Sequence, residues 1–185
     1  PWAIPTAITA KLWAFLFSEQ GIVNSIFHAH VAWQTDPWAA RFSIILADVW
    51  KTTPFMALLI LAGLQMIPKD LYEAARMDGA NAWQRFTRIT LPLAKNSIIV
   101  AVLFRMLDAL RMYDLPYIMV GPNPDSPTAT LSQLVVAAIR QDHVNAASAL
   151  STLIFLLIFL IALCFVKSLG SKVAHQAEPV VAEEE

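Results

Sequence analysis

Residues 67–92, IPKDLYEAARMDGANAWQRFTRITLP, form the long polar stretch between two apolar blocks, and everything else in the chain is read outward from it. The stretch holds Lys69, Arg76, Arg85 and Arg88, with Lys95 just beyond, the densest basic cluster in the sequence. Pro68 and Pro92 bracket it, and Gly79 divides it. The first piece, about Lys69 to Asp78, has Pro at its start and Gly past its end, the asymmetry of a short helix. In the second piece, Ala80 to Ile89, the three-residue spacing of Trp83, Phe86 and Ile89 predicts an apolar ridge along one side. The stretch therefore reads as a helix–Gly–helix module hung between two membrane-length segments.

The 185 residues are 57% hydrophobic, above the roughly 45–50% of soluble domains, and mean hydropathy is +0.56. Because the excess lies in long blocks, the expected class is an all-α, polytopic membrane protein. No basic field points to nucleic acid. The single Cys164, inside an apolar run, excludes an intrachain disulfide framework. No charged start with a short apolar region and cleavage site is in view. The chain opens at Pro1 without a Met, and it is expected to be a fragment lacking upstream spans.

Expected spans are 1–17, 42–66, 96–120 and 146–166, within a permease-like domain over 1–168. Residues 1–17 fall a little short of the roughly 20 needed to cross. Ile22, Val23, Ile26, Phe27 and His30 recur at helical spacing and predict an interfacial helix, with Trp33 and Trp38 at headgroup depth. The second span is interrupted by Asp48, Lys51 and Pro54. Residues 121–127, GPNPDSP, predict a turn-rich loop. The tail, 169–185, ending in three Glu, reads as disordered. The module with Lys95 and the tail together hold seven Lys and Arg, against Arg41 and Arg140 in the opposite loops. The module and C-terminus are therefore expected in the cytoplasm.

Catalytic signatures are absent: there is no phosphate loop, Gly-x-Ser-x-Gly, His-Glu-x-x-His or dinucleotide fingerprint. His28 and His30, two apart, do not share a helix face and read as interfacial residues rather than metal ligands. In the third span Arg105, Asp108, Arg111 and Asp114 are each three apart and alternate in sign. They read either as the lining of a polar path, with Tyr113 and Tyr117 nearby, or as an ion-pair ladder between helices. Asp48 and Lys51 read the same way, with snorkelling as the simpler account. On periodicity alone the module could equally be an amphipathic connector resting on the bilayer.

The residues themselves add more. Glu73-Ala74-Ala75, Asp78-Gly79-Ala80, Phe86, Ile89 and Leu91-Pro92 resemble the EAA signature of permease subunits of binding-protein-dependent ABC importers. The resemblance extends to residues 50–55 (WKTTPF), 61–68 (LAGLQMIP), 1–5 (PWAIP), 113–115 (YDL) and 147–151 (ASALS). Nearly the whole chain is similar to the carbohydrate branch of that family, the maltose- and glycerol-3-phosphate-type permeases. The stretch from Arg105 to Tyr117 looks closest to actinobacterial trehalose-type importers. One departure is Gly121-Pro122-Asn123-Pro124, where many relatives have Gly-Gly-Pro.

That resemblance implies the last four helices of a six-helix permease core with a cytoplasmic EAA loop. It implies a sugar substrate, a second permease subunit, two cytoplasmic ATPase subunits and an extracytoplasmic solute-binding protein. It places ATP and Mg on the ATPase, leaving this chain without cofactor or catalysis, in the cell membrane. Glu73, Ala74, Ala75, Asp78, Gly79 and Ala80 would be the ATPase-coupling residues, and the Trp83–Phe86–Ile89 ridge would anchor the second piece onto its own bundle. The rivals are an ion-coupled secondary transporter, against which stands the lack of an inverted repeat, and a membrane scaffold with no pathway.

Overall fold

The computed structural model describes residues 1–28 and 30–177, with side chains to Lys167. The described residues are helical or irregular. In order they form α1 (Thr6–Leu16), α2 (Ile22–Phe27), α3 (Pro37–Gln65), α4 (Lys69–Met77), α5 (Ala82–Arg85), a π-turn (Phe86–Thr90), α6 (Leu91–Leu110), α7 (Asp114–Met119), α8 (Leu131–Arg140) and α9 (Val144–Ala177). Among the described residues, three stretches are long and apolar enough to cross a membrane: Pro37–Gln65, Ala82–Leu110 and Val144–Lys167. Two compact units divide the chain, one of residues 1–58 and 108–154, the other of 59–107 and 155–185.

The boundaries differ from expectation in instructive ways. The stretch expected as a first span holds an 11-residue helix, α1, about 17 Å at 1.5 Å per residue. The interfacial helix is only six residues long. It stops at His28, which takes a left-handed φ of 49°. The third span begins at Ala82 rather than Asn96 and ends at Leu110 rather than Val120. Its early start means that Pro92 does not close the module. Proline has no N–H to donate to the carbonyl four residues back, and its ring crowds that carbonyl. The helix accommodates it through the preceding π-turn, in which the Leu91 N–H reaches back five residues to the Phe86 carbonyl.

The early end has a similar cause. Pro116 cannot donate to the Met112 carbonyl, so α6 cannot simply run on through it. That carbonyl accepts instead from the Thr130 hydroxyl at 2.8 Å. Thr130 is also the N-cap of α8, in a capping box with Gln133. One threonine therefore fixes both the break after α6 and the start of α8. The tail expected to be disordered from residue 169 begins within the backbone of α9, and 178–185 lie outside the described residues.

In the first unit, the buried core comprises Ala10, Phe17, Ile44, Ala47, Leu115 and Met119, with Trp13, Trp33 and Met112 packed against it. Asn24 knits the connection after α1: its amide donates to the Glu19 and Val31 carbonyls, each at 3.0 Å. Its oxygen accepts from the Trp33 indole at 2.7 Å. Trp33 thus packs on Phe17, ring centroids 4.9 Å apart, with its polar edge satisfied. In the second unit, α3 and α6 approach closely at Gly63 and Ser97, where a Cβ on residue 63 would overlap the serine side chain.

Candidate functional site

Polar chemistry gathers in the module of the second unit and in recesses of the first. The module is built by capping. Helix α4 starts after Pro68 and ends at Asp78. Gly79, at φ 77°, lets the Ala80 N–H reach the Ala75 carbonyl and the Gly79 N–H reach the Arg76 carbonyl, at 2.9 and 3.0 Å. These two bonds are a Schellman closure, which needs a left-handed residue at this position. Asn81 then opens α5 in a reciprocal capping box with Gln84. Arg85 folds back to donate to the Ala80 carbonyl at 2.6 Å. The turn is fixed on both sides by backbone chemistry local to it.

No residue of α4 is buried. Glu73, Ala74, Asp78 and Gly79 are exposed, while Ala75 and Ala80 are half-buried. The resemblance-based expectation that the aromatic ridge packs onto its own bundle fails within the chain. Trp83 is 72% and Phe86 47% exposed, facing each other at 5.9 Å, and Ile89 alone is half-buried. The four-residue α5 and the π-turn change the helical phase the spacing assumed.

The recess has a volume of about 210 Å3 and is lined by Thr6, Asp48, Lys51, Thr52, Asp108 and the run Arg111–Leu115. Four of the expected path residues, Asp108, Arg111, Tyr113 and Asp114, therefore meet here. They do not all lie on one helix, because α6 stops at Leu110 and Asp114 opens a new helix. Arg111 pairs with Asp108 at 3.4 Å with both side chains largely exposed, 73% and 55%, a geometry worth about 0–1 kcal/mol. Arg105 is half-buried and belongs to the other unit.

The Lys51 Nζ donates to the Ile4 carbonyl at 2.6 Å and to the Trp2 carbonyl at 3.5 Å, tying the segment before α1 to α3. Trp2 also stacks on Phe55, centroids 5.2 Å apart. Thr6 and Thr52 were not singled out from sequence, whereas Asp48 was read together with Lys51, with snorkelling as the simpler account. The available signal was the three-residue spacing of Asp48 and Lys51 inside an otherwise apolar span.

Tyr117 lines a second recess of about 160 Å3, with Arg140, Gln133 and Pro122 among its walls. Arg140 donates to the Tyr117 hydroxyl at 2.8 Å and lies 5.3 Å from its ring centroid. Tyr113 stacks on Tyr117 at 5.0 Å. Burial pushes the Tyr113 phenol above its ordinary value, and the neighbouring Tyr117 adds to the shift. The hydrogen bond from Arg140 to Tyr117 holds the guanidinium still more firmly protonated than usual.

Comparison with known proteins bears on the whole chain. The family described as "Binding-protein-dependent transport system inner membrane component" matches residues 1–175. The chain is 44% identical to the trehalose/maltose transport system permease protein MalF of Thermococcus litoralis, over 90% of this chain and 58% of that protein. It is 38% identical to the trehalose transport system permease protein SugA of Mycobacterium tuberculosis, over 92% of this chain and 56% of that one. It thus spans little more than half the length of these curated relatives. Among solved structures, a bacterial ABC transporter involved in the import of the acidic polysaccharide alginate superposes with a TM-score of 0.81 at 27% identity. That match covers 91% of this chain and 61% of the other. Helices long enough to cross a bilayer and a match over nearly every residue agree: this integral membrane protein belongs to the inner membrane components of binding-protein-dependent transport systems.

Proposed function

We propose that the chain is part of the membrane-spanning permease subunit of an ATP-driven sugar importer. The observation that carries this reading is the module between two membrane-length helices: α4 has no buried residue of its own and ends in a turn set by Gly79. A short helix closed by a defined turn, with most of its residues exposed, is shaped to dock. Small Ala74 and Ala75 permit close backbone approach, and Glu73 offers a charge for a basic partner. Glu73, Ala74, Ala75, Asp78, Gly79 and Ala80 form the surface for a cytoplasmic ATPase, which holds the ATP and Mg. A second permease subunit, two ATPase subunits and an extracytoplasmic solute-binding protein complete the assembly. Named relatives that carry trehalose or maltose, and a structural neighbour solved with an alginate-loaded periplasmic protein, support a sugar as cargo, with a disaccharide such as trehalose in view.

Three crossings leave residues 66–81 and the end of α9 on one side of the bilayer and 111–143 on the other. The basic residues of the module make its side the cytoplasm and the membrane the cell membrane. The recess around Asp48, Asp108, Arg111, Tyr113 and Asp114 is one wall of the sugar path. Its 210 Å3 falls below the roughly 300–1,000 Å3 of small-molecule sites, so the rest of the wall comes from elsewhere in the assembly. Carboxylates, a guanidinium and a phenol suit hydroxyl-rich cargo, since each donates or accepts in a fixed direction.

The test is a pull-down of the ATPase together with an uptake assay on the same membranes. Gly79→Val and Glu73→Lys should leave the permease inserted, weaken ATPase retention and separate hydrolysis from uptake. Wild-type retention and uptake in both variants would reduce the module to a connector.

A further inference from the structure

Helix α4 is held by little. None of its residues is buried. Its C-terminus is tied by the Schellman bonds to the Gly79 turn, which joins it in sequence to α5. Among the described residues one side-chain hydrogen bond joins α4 to another element: the Tyr72 hydroxyl and the Thr90 hydroxyl, 2.9 Å apart, 18 residues separated and partly buried. Tyr72 is the neighbour of Glu73, on the helix that would meet the ATPase. Thr90 is the last residue of the π-turn and the residue before Leu91, where regular α6 begins.

That placement is specific. A π-turn is a helix rung out of register, here accommodating Pro92, and it is where a helix can shift at least cost. A load applied at the Gly79 turn reaches α6 only through α5 and the out-of-register rung, where it can be absorbed. A load applied at Thr90 enters beyond most of that rung, at the start of α6. The flanking hydroxyl does not offer this route, since Thr87 donates to the Trp83 carbonyl within its own turn at 2.9 Å.

We propose that the Tyr72–Thr90 hydrogen bond is the latch through which movement of α4 is delivered to α6. The latch rests on the coupling function argued above. Tyr72 and Thr90 are positioning residues: they carry displacement and touch neither sugar nor nucleotide. Tyr72→Phe removes one hydroxyl while keeping the ring, and Thr90→Val removes the other while keeping the volume. Thr90→Ser keeps the hydroxyl.

The experiment uses the full-length importer complex in liposomes, with Cys164 replaced by Ser. A spin label is placed at position 69, exposed at the start of α4, or at position 104, exposed in α6. Spectra are compared without nucleotide and after trapping with ATP and vanadate. Otherwise wild-type protein should respond at both positions. Tyr72→Phe and Thr90→Val should keep the response at 69 and lose most of it at 104, by several-fold, with the double variant no worse than either single one. Thr90→Ser should respond at both. A wild-type response at 104 in Tyr72→Phe overturns the latch. So does failure of both Tyr72→Phe and Thr90→Val to assemble while Thr90→Ser assembles, which would make the bond structural. No response at 69 without any latch variant would instead overturn the coupling reading beneath it.

Discussion

At Gly63 the backbones of α3 and α6 come so close that a Cβ would run into both the Cβ and the Oγ of Ser97. The obstacle is the root of a side chain, which cannot swing away, so the helices must part. Gly63→Ala should therefore cost about 1–3 kcal/mol, the usual range for overpacking. Adding Ser97→Gly should recover most of that loss, a coupling expected only of residues in contact. Thermal unfolding of the purified complex, read for both single variants and the double, checks it. Gly79 is the opposite case. Nothing lies within 4 Å of its missing Cβ, yet its φ is 77°. Gly79→Ala should then cost only the roughly 1–2 kcal/mol of a left-handed residue with a side chain, and removing neighbours should not rescue it. Asp142 takes φ 61° at the end of α8, in the same closure. Asp142→Gly should leave stability unchanged or slightly higher in the same assay.

Among the elements, α6, α7 and α8 depend on one another through Thr130. Thr130→Val would strip the Met112 carbonyl of its donor and remove the acceptor for the Gln133 N–H. Leaving a buried group unsatisfied costs about 1–3 kcal/mol, and losing a cap adds about 1. The variant should inactivate at lower temperature, and Thr130→Ser should behave as wild type. The Arg111–Asp108 pair should show the contrast. It is exposed on both sides, so Arg111→Gln should move stability by less than about 1 kcal/mol. If the recess is part of the sugar path, the same variant should lower uptake without lowering assembly. Full uptake would remove Arg111 from the path.

For the whole molecule, the crossing pattern makes a directional prediction. In a Cys164→Ser background, a Cys at position 125 should react with a membrane-impermeant maleimide in intact cells, and one at position 76 should not. Labelling at 76 from outside would reverse the orientation and place the module away from any cytoplasmic ATPase. The exposed Leu153, Phe155, Phe159 and Leu160 of α9 fit a helix whose apolar surface meets lipid or a neighbouring subunit. A helix apolar all round has no water-facing side.

Much of this was legible in the chain because it is local. Twenty apolar residues need a bilayer wherever they occur, and a helix closed by a left-handed glycine is encoded within six residues. The module, the positive φ at Gly79 and the positions of α3 and α9 all follow from nearest-neighbour chemistry, while the family was legible as a resemblance of residues 67–92 to the EAA signature. Helix phase through Pro92 and the stop at Leu110 did not follow from spacing. A proline says that one hydrogen bond is missing, and only the surroundings decide whether a π-turn absorbs the loss or a distant Thr130 replaces the donor. The partner of Lys51 was hidden for the same reason: the Ile4 carbonyl that accepts from it lies 47 residues away. Periodicity placed Arg105, Asp108, Arg111 and Asp114 in one row. Tertiary structure gathered Asp108, Arg111 and Asp114 with Asp48 and Thr6 around a recess, because the chain turns between α6 and α7 and α1 packs against α7.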